Sequence, residues 1–171
     1  MPIRGRSLGE TARSFVDHLN RVLHTTVSQA SLALVVVEGV ANISFRSGVQ
    51  PVAPQLRTGY GPMELYVGQL CDSVVGQDRL HTLRTVSYRY ALTPVGNAEP
   101  LLRWEYVKFP GVSKLYCRHH FQGPIRLDLG RSGEQVVLND WHLPTGWVTI
   151  EEVLRFCIVD LGITPLSEDW D

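Results

Sequence analysis

The residues best suited to chemistry in this sequence are Arg118-His119-His120, where two imidazoles follow a guanidinium. Imidazole exchanges protons near neutral pH, and a guanidinium can hold a phosphate or stabilise a developing negative charge. Neighbouring side chains on a strand point to opposite faces. We therefore expect Arg118 and His120 on one face, and Cys117, His119 and Phe121 on the other. The two histidines would share one task only if the strand ends or bulges there.

A sheet face that combines arginine, histidine and tyrosine could cleave RNA without a metal ion. The reaction needs a base for the 2′-hydroxyl, an acid for the leaving oxygen and a cation for the phosphorane. In this hypothesis the arginines hold phosphate, a histidine transfers protons and a tyrosine orients the nucleophile. The candidate catalytic residues are His119, His120, Arg103, Arg118 and Tyr90, and the candidate substrate-binding residues are Arg89, Lys114 and His142. Arg89 and Arg103 would fit equally well as ordinary exposed sheet residues.

A metal site is the alternative use of the histidines. His119, His120 and His142 could supply nitrogen ligands, and Asp140 or Glu105 an oxygen. However, the sequence shows no recognised ligand spacing, and adjacent histidines on a regular strand rarely bind one ion. We therefore predict no metal and no cofactor, with a metal-dependent hydrolase as an alternative function. Motifs for phosphate-binding loops, dinucleotide binding, serine hydrolases and zinc proteases are absent from the sequence.

The composition is that of a folded protein with one core. Of its 171 residues, 44% are hydrophobic and 19% are charged. The three cysteines, Cys71, Cys117 and Cys157, are too widely spaced for a metal clip and too few for a disulfide framework, which is typical of free thiols in a reducing compartment. No apolar run reaches the roughly 18 to 20 residues that a membrane span needs, and no secretory signal is visible. We predict a cytoplasmic protein that does not associate with membranes.

Charge is distributed unevenly along the chain. Residues 1–78 carry six basic and six acidic residues, residues 79–131 carry nine basic and three acidic, and residues 132–171 carry one basic and eight acidic. The middle segment could offer a basic surface to phosphates, while the acidic end folds back over it or faces a basic partner. Alternatively, the two segments neutralise each other within the fold.

Hydrophobic periodicity predicts the elements that position these residues. Ser7-Leu8-Gly9-Glu10 fits a capping box, and apolar residues at three- and four-residue steps continue to about His24, which predicts an amphipathic helix. Further segments are a buried strand at Leu32–Val37, a second strand or its continuation at Asn42–Arg46, and a strand or short helix at Met63–Leu70. Residues 47–62 are rich in glycine and proline and are predicted to form a loop.

From Leu80 onward the pattern is typical of a β-meander. The predicted strands are Thr82–Thr93, Leu101–Phe109 and Lys114–Phe121, followed by a hairpin of Ile125–Leu129 with Gln135–Leu138. A second capping box at Thr149 opens a helix that ends near Gly162. The predicted fold is α+β, an antiparallel β-meander sheet packed by an N-terminal helix and a C-terminal helix. We expect a single domain, 1–171, in two parts: 1–78 with the helix, strand and Pro/Gly-rich loop, and 79–171 with the meander and C-terminal helix.

Five segments, taken in order, resemble the TumE-type toxins of prokaryotic toxin–antitoxin systems. They are Tyr88-Arg89-Tyr90, Leu101-Leu102-Arg103-Trp104-Glu105-Tyr106, Phe109-Pro110, Arg118-His119-His120 and the capped helix at Ile150-Glu151-Glu152-Val153-Leu154. The resemblance covers less than half of the chain. It implies an RNA-directed toxin, or a relative redeployed in defence, with Arg103, His119 and His120 as active residues and an antitoxin as partner.

Two main hypotheses about function follow. One is an RNA-acting, toxin-like protein that is a metal-independent ribonuclease. The other is a non-catalytic binding or assembly protein with a basic sheet surface and an acidic C-terminal tail. Convergence of Arg103, His120 and a tyrosine on one concave surface would favour the enzyme, whereas dispersal over both sheet faces would favour the binding protein. The sequence alone leaves the substrate, the partner and the oligomeric state open.

Overall fold

Two helices pack against a large antiparallel sheet, which confirms the predicted α+β fold. The structure is a computed structural model that describes residues 3–109, 117–124, 126–128, 135–137 and 142–170. The helices are α1 (Leu8–Thr25) and α2 (Ile150–Val159). The strands are β1 (Arg4–Gly5), β2 (Leu32–Val37), β3 (Val40–Ser47), β4 (Gln50–Pro51), β5 (Gln55–Thr58), β6 (Gly61–Val75), β7 (His81–Pro94), β8 (Leu102–Val107), β9 (His119–Gln122), β10 (Arg126–Asp128), β11 (Gln135–Val137) and β12 (Leu143–Pro144).

The main sheet runs in the order β12-β9-β8-β7-β6-β3-β2, and every neighbouring pair is antiparallel. Three short strands pair with it from the side: β1 with β7, β4 with β3, and β5 with β6. The long strands β6 and β7 pair along almost their whole length, with a bulge between Leu70 and Cys71. This pairing joins the two predicted parts of the chain in one sheet, so the meander starts well before residue 79.

The prediction of a loop over residues 47–62 was wrong. The segment contains β4, β5 and the start of β6. Its glycines and prolines occupy turn and edge positions, not a long irregular stretch. Gly61 has φ of 105°, a conformation that only glycine adopts easily, and Pro51 lies on a short strand at the side of the sheet. Residues 63–70 belong to β6, so the strand alternative for that segment is confirmed.

In the part of the chain that the structure describes, the third strand of the predicted meander begins at His119, later than the predicted start at Lys114. Described structure resumes at Cys117, and β9 covers His119–Gln122. Lys114, a candidate substrate-binding residue, lies outside the described residues. The predicted hairpin is confirmed as β10 paired with β11, while its turn also lies outside them.

Both predicted helix starts have side-chain caps. The Ser7 hydroxyl accepts a hydrogen bond from the Glu10 backbone N–H at 3.2 Å, whereas the Glu10 carboxylate accepts from the Arg6 N–H. At the second helix the capping box is complete. The Thr149 hydroxyl accepts from the Glu152 N–H at 3.3 Å, and the Glu152 carboxylate accepts from the Thr149 N–H at 2.7 Å.

The core lies between the two helices and one face of the sheet. The helices contribute Leu19, Leu23, Val153 and Leu154, and alternate positions of the central strands contribute Ile43, Phe45, Leu65, Val67, Tyr90 and Leu92, all almost fully buried. Burial of this apolar surface is the main force that fixes the sheet against the helices. Within the described ranges, neither helix is both long and apolar enough to cross a membrane.

Candidate functional site

The sheet register arranges the polar candidates in rows on the face turned away from the helices, which we call the open face. Because side chains alternate along each strand, residues paired across neighbouring strands share a face. The first row, the charged row, consists of Ala33, Ser44, Gly68, Arg89, Glu105, His120 and Pro144. The second, the apolar row, consists of Val35, Asn42, Leu70, Ser87 and Val107. On the other side of the charged row lie Tyr66, Ala91, Arg103 and Gln122.

Glu105 is the centre of a charged cluster on this face. Its carboxylate oxygens lie 3.4 Å from Arg89 Nε, 3.5 Å from Arg103 Nε and 3.0 Å from His120 Nε2. The side chains of Glu105 and Arg103 are about one-fifth exposed and that of His120 is 7% exposed, whereas Arg89 is 48% exposed. One carboxylate therefore contacts three basic groups, two of which are largely removed from water.

Both ring nitrogens of His120 are occupied by protein groups. Nδ1 lies 3.1 Å from the Cys117 carbonyl oxygen, which can only accept, so Nδ1 donates. Nε2 lies 3.0 Å from the Glu105 carboxylate. A general acid or base must reach the substrate with one nitrogen. In this arrangement both ring nitrogens of His120 contact protein groups of the cluster and of the neighbouring backbone.

The cluster extends to His142, a candidate substrate-binding residue. Arg103 Nη2 donates to Gln122 Oε1, and Gln122 Nε2 lies 3.2 Å from His142 Nε2. The rings of His142 and His120 meet edge to face, with centroids 4.5 Å apart. Burial lowers the pKa of His142, and the nearby His120 lowers it further. The structure thus brings His142, His120 and Arg103 together.

His119 lies on the opposite face, so the expected separation of the two histidines is confirmed. Its ring stacks on Tyr106 with centroids 4.4 Å apart and meets Trp147 at 5.4 Å. Its Nδ1 is buried and has no hydrogen-bond partner among the described residues. Burial, followed by the positive charge of Arg118, lowers the pKa of His119.

Tyr90 also lies on the helix side of the sheet, away from Arg103. The side chain is 2% exposed, and its hydroxyl donates to Gln69 Oε1 at 3.0 Å. Its ring stacks on Tyr88, with centroids 4.7 Å apart and nearly parallel planes. Burial raises the pKa of the Tyr90 phenol. Tyr90 is therefore a core residue and does not reach the charged cluster.

Arg118 immediately precedes β9, and its side chain is exposed. Its carbonyl accepts the Val107 N–H at 3.0 Å, which extends the pairing of β8 and β9 by one bond. Its guanidinium has no ion-pair partner within the described ranges. Of the candidate arginines, Arg118 and Arg89 are therefore the most accessible to a ligand.

Tyr66 was not among the candidate residues predicted from the sequence. Its ring lies over Gly68 on the open face. A Cβ at Gly68 would come within 2.9 Å of the Tyr66 hydroxyl oxygen, so only glycine lets the ring lie flat on its own strand. The Arg89 guanidinium lies 5.9 Å from the centre of this ring, within the range of a cation–π interaction. A glycine inside a strand pattern signals such a close approach, and here it follows the tyrosine by two residues.

An open groove runs between the charged row and the apolar row. Its volume is about 380 Å³. The lining includes Tyr66, Arg89 and Glu105 at one end, and Leu70 and Val107 at the other. Tyr66 and Arg89 also border a second depression of about 420 Å³. Together these features offer a ligand one aromatic ring, one half-exposed cation and an apolar end.

Three arginines of the middle segment pair with carboxylates within the sheet. Arg84 forms two hydrogen bonds to the Asp72 carboxylate, at 2.7 and 2.5 Å, and these bonds lower the pKa of Asp72. Arg89 and Arg103 share Glu105 as described above. The chain near the acidic end instead bonds to the end of α1, where the Leu166 and Ser167 N–H groups donate to backbone carbonyls.

Within the parts of the chain that the structure describes, no three histidine, cysteine or acidic side chains lie close enough together to hold a metal ion. Asp140, a candidate oxygen ligand, lies outside these parts. Comparison with known proteins gives no further guidance. The chain matches no protein-family model, no curated protein and no solved structure at a significant level.

Proposed function

We propose that this protein is a non-catalytic binding protein that takes a partner protein in the groove of its open face. The observation that carries the proposal is the occupation of both nitrogens of His120 by Glu105 and the Cys117 carbonyl. The other proton-transfer candidates, His119 and Tyr90, lie on the helix side of the sheet. The predicted catalytic residues are therefore divided between the two faces of the sheet.

The charge balance of the open face favours a protein partner over RNA. Nucleic-acid affinity depends mainly on basic side chains that are free to neutralise phosphates. Here Arg89 and Arg103 both contact the Glu105 carboxylate and Arg84 contacts that of Asp72, so these three arginines are already engaged by acidic groups. Tyrosine and arginine beside exposed apolar side chains are typical of the residues that dominate protein–protein binding energy. The groove offers this combination.

Site-specific photocrosslinking would test the proposal. Val107, at the apolar end of the groove, is replaced with p-benzoylphenylalanine in cells of the native host. The matched control is Val159, an exposed valine on α2. We expect a discrete protein adduct from position 107, absent from position 159 and lost when Arg89→Glu is added. A nuclease-sensitive adduct, or equal adducts from both positions, would contradict a protein partner in the groove.

An RNA-acting, toxin-like ribonuclease is the second candidate. The observation that favours it is the contact of both Arg103 and His120 with Glu105, since an imidazole and a guanidinium then share one site. The resemblance to TumE-type toxins supports the same reading. The purified protein would be incubated with total RNA in excess chelator. Cleavage that is lost in a folded His120→Ala variant would favour this candidate, whereas no cleavage by the wild type favours the binding protein.

We extend the proposal to a cytoplasmic location. Cys71, Cys117 and Cys157 are all free thiols. Burial raises the pKa of Cys71 and raises that of Cys157 to about 12, so neither forms a thiolate readily. Free, unreactive thiols fit a reducing compartment. Fractionation of native cells, with detection of the protein in the cytosolic fraction, would test the location.

A further inference from the structure

Strand β2 forms one edge of the main sheet and pairs only with β3 among the described elements. Its sequence, Leu-Ala-Leu-Val-Val-Val, contains no charge and no proline, and its register with β3 is free of bulges. Val35, Val36 and Val37 are 37%, 44% and 58% exposed. Natural edge strands usually carry lysine, proline or a bulge that prevents further pairing. This edge has none of these features.

The backbone groups still free on this edge can be identified from one side-chain contact. The Asn20 side chain accepts from the Leu32 N–H at 2.7 Å and donates to the Leu32 carbonyl at 3.1 Å. Leu32 therefore points its backbone groups away from β3. Because these directions alternate along a strand, Leu34 and Val36 also point outward. Among the described residues, the unpaired part of the edge thus consists of Leu34 and Val36, symmetric about Val35.

We propose that this edge binds a second copy of the same chain, with the two β2 strands antiparallel. A two-fold axis at Val35 pairs Leu34 with Val36 of the second copy and Val36 with Leu34 of the second copy. The outward N–H and C=O groups of Leu34 and Val36 in both copies are then used, in four hydrogen bonds, and the pairing does not need the Leu32 groups that Asn20 occupies. Such a self-complementary interface is the commonest way in which identical chains associate.

The charge pattern fits a second copy in the same register. The paired strands are uncharged, so self-association brings no like charges together along them. In the same register Glu38, which follows β2, lies opposite Leu32 of the second copy, one position from Ser31. Ser31 lies 3.1 Å from a ring nitrogen of His24.

Dimerisation through β2 would unite the two open faces. The apolar row reaches the sheet edge at Val35. In the dimer, Val35 of each copy lies opposite Val35 of the other, and the row continues across both sheets. This interface is separate from the groove, so it stands whether or not the groove binds a partner protein.

Charge substitution at the symmetry axis tests the dimer. Sedimentation velocity of the wild type between about 1 and 100 μM should show concentration-dependent dimers. Val35→Lys and Val35→Glu each place like charges opposite each other, and we expect each alone to dimerise at least tenfold more weakly. An equimolar mixture should recover dimers, because lysine then faces glutamate. Val159→Lys, which also adds a lysine at an exposed valine, should behave as the wild type.

Hydrogen exchange of the backbone amides tests dimerisation in the wild-type protein, without any substitution. The Leu34 and Val36 amides should exchange more slowly at 100 μM than at 1 μM, whereas exposed amides of loops should not change. A wild type that stays monomeric over the whole range would overturn the proposal. So would full dimerisation of Val35→Lys, or a mixture of the two charged variants that remains monomeric while both are folded.

Discussion

Replacement of Glu105 by glutamine should destabilise the protein strongly, because among the described residues Glu105 is the carboxylate that a largely buried cluster of basic groups shares. Glu105 contacts Arg103 and His120, and all three side chains are less than a quarter exposed. The change keeps the size of the side chain and one hydrogen-bond acceptor. The Glu105→Gln variant therefore tests the charge of the cluster and not its packing.

The expected magnitude follows from the burial of the partners. Removal of one member of a buried ion pair typically costs 3–5 kcal/mol, because the other charge stays buried without compensation. Residual solvent access and the acceptor kept by glutamine reduce this to roughly 2–4 kcal/mol here. For a chain of this size, about 3 kcal/mol corresponds to a melting temperature lower by roughly 6–12 °C. Arg89 is half-exposed, so its pair with Glu105 should contribute at most about 1 kcal/mol.

Urea denaturation followed by circular dichroism measures the free energy of unfolding of the wild type, Glu105→Gln and the control Arg89→Gln. The slope of the free energy with urea should be the same in all three, which shows that the same surface unfolds. If Glu105→Gln were no more destabilising than Arg89→Gln, the cluster would be solvated and free to rearrange. His120 and Arg103 would then not depend on the charge of Glu105 for their position in the cluster.

Three further predictions concern the core, the pH response and the second helix. Tyr90→Phe removes the hydroxyl that donates to Gln69 and leaves a buried acceptor unpaired, so the free energy of unfolding in urea should fall by about 1–2 kcal/mol. The lowered pKa of His119 means that the unfolded chain binds its proton more readily than the folded one, so stability should fall as pH drops below about 6.5. The loss between pH 7.5 and 5.5 should be smaller in His119→Phe, and an equal loss would assign the pH response to other groups. Thr149→Ala removes the cap of α2 and should cost about 1 kcal/mol in thermal unfolding, whereas Thr149→Ser should be close to the wild type.

Local signals predicted the elements of this fold well. Side-chain caps at Ser7 and Thr149 mark helix starts that depend only on residues three positions away, so the sequence contains the whole signal. Alternation along one strand was enough to separate His119 from His120. The loop prediction for residues 47–62 failed because glycine and proline report turns and edges without revealing the short strands between them.

What the sequence by itself determined is therefore the two helices, most of the longer strands, the α+β class and the face on which each residue of a predicted strand lies. Which residues meet was decided only by the tertiary structure. Glu105 contacts Arg89 and His120 because β8 lies between β7 and β9 in one particular register. A shift of one residue would move these side chains to opposite faces. That register depends on how all the strands pack against the two helices, which no local pattern specifies.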